Sequence, residues 1–154
     1  MRGKTGFWIV VSVLAVPTVL MTVFAWRMVG DVRREAAATD ARMRELAWAC
    51  LAYADRFGGY PLGEAELRGF AVPDALSTAG DGYPATRAAA LGAADAEAPK
   101  PQAFDAMLEV IEVEWPLVRD VQPILRSKGK PTLQGTTTTI GQWLFAMAER
   151  LRKG

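Results

Sequence analysis

The chain has 154 residues, of which 51% are hydrophobic and 23% charged, so it can bury a core of one ordinary domain and is not wholly disordered. Eighteen basic against 17 acidic side chains leave a net charge of +1, too balanced for a dedicated nucleic-acid binder. Histidine is absent and Cys50 is the one cysteine, which excludes histidine-based zinc sites, Ser-His-Asp triads, an internal disulfide and any multi-thiolate metal site.

Charge is segregated along the chain. Residues 1–61 carry eight basic and five acidic side chains, residues 62–120 four and eleven, and residues 121–154 six and one. Such alternation suits head-to-tail contact between copies, or an acidic middle folded onto a basic tail; an unevenly charged, solvated surface is the plainer reading.

Thr5 to Trp26 is a run of 22 uncharged residues. As a helix it spans roughly 33 Å, close to the hydrocarbon thickness of a bilayer, and it is expected to cross a membrane. Pro17 removes one backbone hydrogen bond in its middle, which membrane helices tolerate. Trp8 and Trp26 flank the run, where aromatic rings favour the interface. Arg2 and Lys4 precede it and Arg27, Arg33 and Arg34 follow it, diluted by Asp31 and Glu35, so charge bias alone does not set orientation. A secretory signal cleaved after Ala25 is the rival reading, but the helical pattern continues past that point.

From Asp31 to Phe57 there is neither proline nor glycine, and good helix formers dominate. Met43, Leu46, Cys50, Tyr53 and Phe57 recur at steps of three and four, an apolar stripe widened by Trp48 and Leu51. Gly58-Gly59 ends the helix, and Tyr60-Pro61 continues as an extended turn. One nearly continuous helix from about Phe7 to Phe57, roughly 75 Å long, is therefore expected.

The residues up to this point resemble the type IV pilin-like family, especially the pseudopilins of type II secretion systems. Met1 to Gly6 looks like the short basic leader removed by a prepilin peptidase, with Gly6-Phe7 as the junction. The apolar run starts directly at Phe7 and flows into an amphipathic helix that closes in LAYADRFGGYP, residues 51–61. The likeness covers residues 1–61 well and the remainder poorly. It implies a helix-rich α+β protein: leader 1–6, transmembrane helix 7–28, amphipathic stalk helix 29–58 and a small extracytoplasmic head over 59–154. The implied function is that of a structural subunit, not an enzyme, of a type II secretion or type IV pilus-like assembly. The subunit would sit in the inner membrane as a single pass, with other copies or other pilin-like subunits and the peptidase as partners, and with no cofactor, nucleic acid or small-molecule substrate. Val11, Met43, Leu46 and Tyr53 are the expected subunit-packing residues. Family subunits usually carry a glutamate at the fifth mature position, where this chain has Val11. That departure implies either a minor, tip-like subunit or a protein outside the filament. The alternative is an unprocessed, single-pass anchored accessory or binding module.

In the remainder, Gly59-Tyr60-Pro61 recurs as Gly82-Tyr83-Pro84, which predicts two turn-then-short-helix units over Gly63 to Arg68 and Ala85 to Leu91. Residues 92–103 read as a loop or linker. Residues 104–115 fit a helix that breaks into a strand, and 117–127 a short strand or helical turns. Lys128-Gly129-Lys130-Pro131 reads as a turn, Thr136 to Thr139 as strand or loop, and Ile140 to Leu151 as an amphipathic helix. Gly135 to Trp143 is loosely similar to the layout of a pseudopilin calcium loop but holds no Asp or Glu, so no metal ligand is assigned. Glu109, Glu112 and Glu114 read as a solvated face, and Cys50 as a small core residue.

Overall fold

A computed structural model describes residues 3–78, 80–92 and 104–153, with side chains from Val16 onward. In chain order the elements are α1 (Gly3–Phe57), α2 (Glu64–Arg68), α3 (Arg87–Leu91), α4 (Phe104–Val110), β1 (Ile111–Glu114), β2 (Ile124–Ser127) and α5 (Thr136–Lys153). The chain divides into two units, Met1–Arg34 and Glu35–Gly154. The fold is helix-rich, with one long N-terminal helix and a small two-stranded C-terminal region.

Helix α1 passes Pro17 and Gly30 without a break and stops at Phe57. Gly58 then takes φ +70°, a left-handed conformation that glycine adopts without a Cβ clash, and its N–H still reaches the Ala54 carbonyl at 2.9 Å. Both helix and terminator follow the sequence expectation.

Within the second unit, α1 is the spine. The stretch Leu46–Ala54 is buried at every position, on all sides of the helix. Five of those nine residues are Ala or Cys, small enough to let the surrounding elements approach closely, while Leu46, Trp48, Leu51 and Tyr53 fill the space between them. Each fully buried large apolar side chain contributes roughly 1.5–3 kcal/mol. The Trp48 indole is satisfied in the interior by donating to the Pro73 carbonyl at 2.9 Å. The compact unit begins at Glu35, so it takes in most of the helix that the sequence reading sets apart as a stalk.

Around this spine pack Met107 of α4, Ile111 of β1, Leu125 of β2 and Ile140, Leu144 and Met147 of α5. Strands β1 and β2 pair antiparallel, with Ile111 opposite Ser127 and Glu114 opposite Ile124. The α4-to-β1 transition at Val110–Ile111 matches the helix-into-strand reading of residues 104–115. The break is held by the Lys128 N–H donating to the Val110 carbonyl at 2.9 Å and the Lys128 ammonium donating to the Leu108 carbonyl at 2.6 Å.

Thr136 to Thr139 is a correction. These four β-branched residues, expected as strand or loop, form the first turn of α5. Gly135, at φ +85°, turns the chain into the helix, and the buried Thr136 hydroxyl donates to the buried carboxylate of Asp40 on α1. That contact outweighs the few tenths of a kcal/mol per residue by which threonine disfavours a helix. Residues 93–103 of the expected loop lie outside the described residues.

Candidate functional site

The two units present different chemistry. In the first, the described side chains of α1 from Val16 to Val32 are exposed, apolar ones included: Leu20, Met21, Phe24 and Trp26 leave 63, 73, 64 and 79% of their surface uncovered. An apolar surface around a whole helix is covered either by lipid or by other helices. Among the described residues, no helix is long and apolar enough to cross a membrane. Side chains 3–15, which supply the first part of the uncharged run, lie outside the described ones.

Gly6, Phe7 and Val11 fall on the α1 backbone, and their side chains lie outside the described residues. Met43 and Leu46 are fully buried in the core of their own chain, and Tyr53 is 8% exposed. Met43 and Leu46 therefore have no free surface to give a second copy. Their stripe exists as read, but the chain's own head fills it.

The closing motif of α1 is a clasp built on tyrosines. Tyr60 is buried and donates its hydroxyl to the Leu144 carbonyl of α5 at 2.6 Å. Burial pushes its ionisation well above the usual phenol range, so it stays a neutral donor. The Tyr60 N–H donates to the Arg119 carbonyl at 2.7 Å. A Cβ on Gly59 would meet Arg119 Cβ at 2.7 Å, so this close passage requires glycine. Arg119 also pairs with Glu66 at 2.7 Å, and Glu66 accepts from the Tyr53 hydroxyl at 2.9 Å. The Arg119 guanidinium, aided by Tyr53 and the Leu62 N–H against a smaller burial effect, holds the Glu66 carboxyl below its usual range.

The second Gly-Tyr-Pro is used in a related way. Residues 74–76 and 85–87 face each other through the Leu76 N–H to the Ala85 carbonyl at 3.0 Å and the Arg87 N–H to the Asp74 carbonyl at 2.8 Å, with Gly82-Tyr83-Pro84 in the turn between. Tyr83 is buried, and its hydroxyl accepts from Arg150 of α5 at 2.9 Å. The same arginine pairs with Asp55 of α1 at 3.0 Å. Asp55 further accepts from the Ser77 N–H and hydroxyl at 2.7 and 2.6 Å. Burial pulls the Asp55 carboxyl upward, but the Ser77 and Arg150 hydrogen bonds prevail and hold it below its usual range. Both copies of the short motif thus send a tyrosine to α5.

Segregated charge is resolved mainly on α1. From the basic tail, Arg150 reaches Asp55 and Lys130 reaches Glu35 at 2.7 Å, while the Arg126–Glu114 pair with the acidic middle is longer, at 3.8 Å. Glu112 and Glu114 are exposed, as a solvated face requires. The Cys50 thiol is fully buried and pushed up to about 12 by that burial, which removes it as a nucleophile at neutral pH. Among the described residues, no group of three or more Cys, Asp or Glu is placed to hold a metal ion.

No family model, no curated protein and no solved structure matches this chain. The arrangement to be interpreted is therefore the chain's own: an apolar helical surface in one unit, and in the other a helix end locked into a small α+β head. Sequence reading missed the Arg119–Glu66 and Arg150–Asp55 locks. No local signal announces partners separated by 53 and 95 residues, although the repeated Gly-Tyr-Pro did flag both neighbourhoods.

Proposed function

We propose that the chain is a pseudopilin-like structural subunit of a type II secretion or type IV pilus-like assembly, and that it acts by packing rather than by catalysis. The observation that carries this reading is α1 itself. From Val16 to Val32 it carries exposed apolar side chains, and its C-terminal part is the spine of a small head, closed by Gly-Gly-Tyr-Pro. Coverage of that apolar part by lipid, and by the corresponding helices of other pilin-like subunits, would remove its exposed surface from water. On this reading the chain is an inner-membrane, single-pass subunit with its head outside the cytoplasm, matured between Gly6 and Phe7 by a prepilin peptidase.

Val11 favours a second reading, an unprocessed membrane-anchored accessory module. A glutamate at that position would pair with a neighbour's N-terminal amine in lipid, and valine has no charge to offer. Mass spectrometry of the full chain from hosts with and without a prepilin peptidase separates the two. Loss of residues 1–6 only in the presence of the peptidase supports the subunit reading. An intact Met1 in both hosts rejects it in favour of the anchored module.

A further inference from the structure

Where the apolar surface of α1 ends, the helix carries a notch of about 430 Å³ lined by Ala25, Trp26, Val29, Gly30 and Arg33. Trp26, Gly30 and Arg33 lie at helical steps of four and three and so share one face. Gly30 is the one glycine between Gly6 and Gly58, and a Cβ there would meet nothing within 4 Å, so the side-chain gap is not required by packing within the chain. Trp26 is 79% exposed at one end of the gap, and Arg33 is exposed at the other. Among the described residues, neither Arg33 nor the neighbouring exposed Arg27 makes an ion pair. The nearby Asp31 carboxylate is engaged by Arg34. The notch therefore presents the unpaired Arg33 guanidinium, an indole and an open wall, and the unpaired Arg27 lies next to Trp26 in the chain but outside that lining.

We propose that this notch docks the phosphodiester head group of an anionic phospholipid of the phosphatidylglycerol type. The inference rests on the membrane reading above. The helix from Trp26 to Arg33 rises about 10 Å, comparable to the ~5–8 Å head-group layer on each side of a bilayer. Tryptophan favours that layer, and guanidinium binds phosphate oxygens with paired N–H donors. Continuity with the apolar surface on the N-terminal side points the notch at lipid rather than at a peptide in water. The unpaired positive charge selects anionic over zwitterionic lipid.

The test uses the full chain reconstituted into phosphatidylcholine vesicles in which part of the lipid is replaced by brominated phosphatidylglycerol or, at equal content, brominated phosphatidylcholine. The readout is quenching of the Trp26-dependent emission, taken as the difference between the native chain and Trp26→Phe. Brominated phosphatidylglycerol is expected to compete for the Trp26 contact about fivefold better for each unpaired arginine. That preference should be lost in Arg27→Ala/Arg33→Ala, reduced in Gly30→Leu, which fills the gap, and retained in Asp31→Ala/Arg34→Ala, which removes a neutral ion pair and leaves the local net charge unchanged. Equal quenching by the two lipids overturns the proposal and leaves the membrane reading standing. Absence of quenching by either lipid overturns both. Cross-linking between copies through Gly30→Cys, without lipid quenching of Trp26, would put a second copy in the notch and likewise overturn it.

Discussion

Replacing Thr136 by valine isolates the contact that starts α5. Valine keeps the β-branched shape and removes only the hydroxyl that donates to Asp40. Asp40 and Thr136 are 1 and 2% exposed, so water cannot take the place of the lost donor without opening the packing between α1 and α5. Among the described residues the carboxylate then keeps one partner, the Arg44 Nε donating at 2.8 Å. Loss of a buried hydrogen bond to a charged group costs about 1.5–3 kcal/mol, so about 2 kcal/mol is expected for Thr136→Val. Asp40→Ala removes the acceptor from both Thr136 and Arg44, and its expected cost is about 3–5 kcal/mol, typical of a broken buried pair. The double variant should fall short of the sum of the two by about 1–2 kcal/mol, because the residues share one interaction. Thermal unfolding of the full chain in detergent micelles, followed by the near-ultraviolet signal of its tryptophans, reads these values. For a unit of this size, about 2 kcal/mol corresponds to roughly 6–12 °C in Tm. Amide exchange in the first turn of α5 should accelerate in parallel. A Thr136→Val variant within a few tenths of a kcal/mol of the native chain, with unchanged exchange there, refutes the view that this contact holds four threonines in a helix.

Other predictions follow from the clasp and the core. The lowered Asp55 carboxyl adds stability that is present above the ordinary carboxyl value of 3.8 and is lost as pH falls through the lower folded-state value. Denaturant midpoints measured down to about pH 3 should therefore fall less steeply with acidification in Asp55→Asn than in the native chain. The Cys50 thiol has the opposite sense: its folded-state value is raised from 9.0 to about 12, so its contribution is intact below 9 and is lost as pH rises between the two. Cys50→Ala should flatten the alkaline loss of stability, and in the native chain alkylation of Cys50 should wait for unfolding; rapid alkylation of the folded chain would contradict its burial. Gly59→Ala forces a Cβ against Arg119 and should cost about 1–3 kcal/mol by overpacking. Alanine at the exposed Gly69, where φ is −102° and a Cβ meets nothing within 4 Å, is the control and should leave the midpoint close to native.

Local patterns in the sequence were sufficient for the elements whose causes are local. The uninterrupted helix-forming run and Gly58 marked the course and end of α1. The paired Gly-Tyr-Pro segments marked two short helices, observed as Glu64–Arg68 and Arg87–Leu91, and the mixed periodicity of residues 104–115 marked the break between α4 and β1. Period and turn chemistry act over a few residues, so they can be read from a few residues. Only the tertiary structure decided that the stripe of Met43 and Leu46 is filled from within the chain, because a stripe records that a face is apolar and not what covers it. Tertiary packing also made a helix of Thr136 to Thr139, through a carboxylate 96 residues away. The same holds for the locks of Arg119 on Glu66 and Arg150 on Asp55. Such contacts are selected by burial and by satisfaction of polar groups after collapse, and no window of neighbouring residues contains both partners.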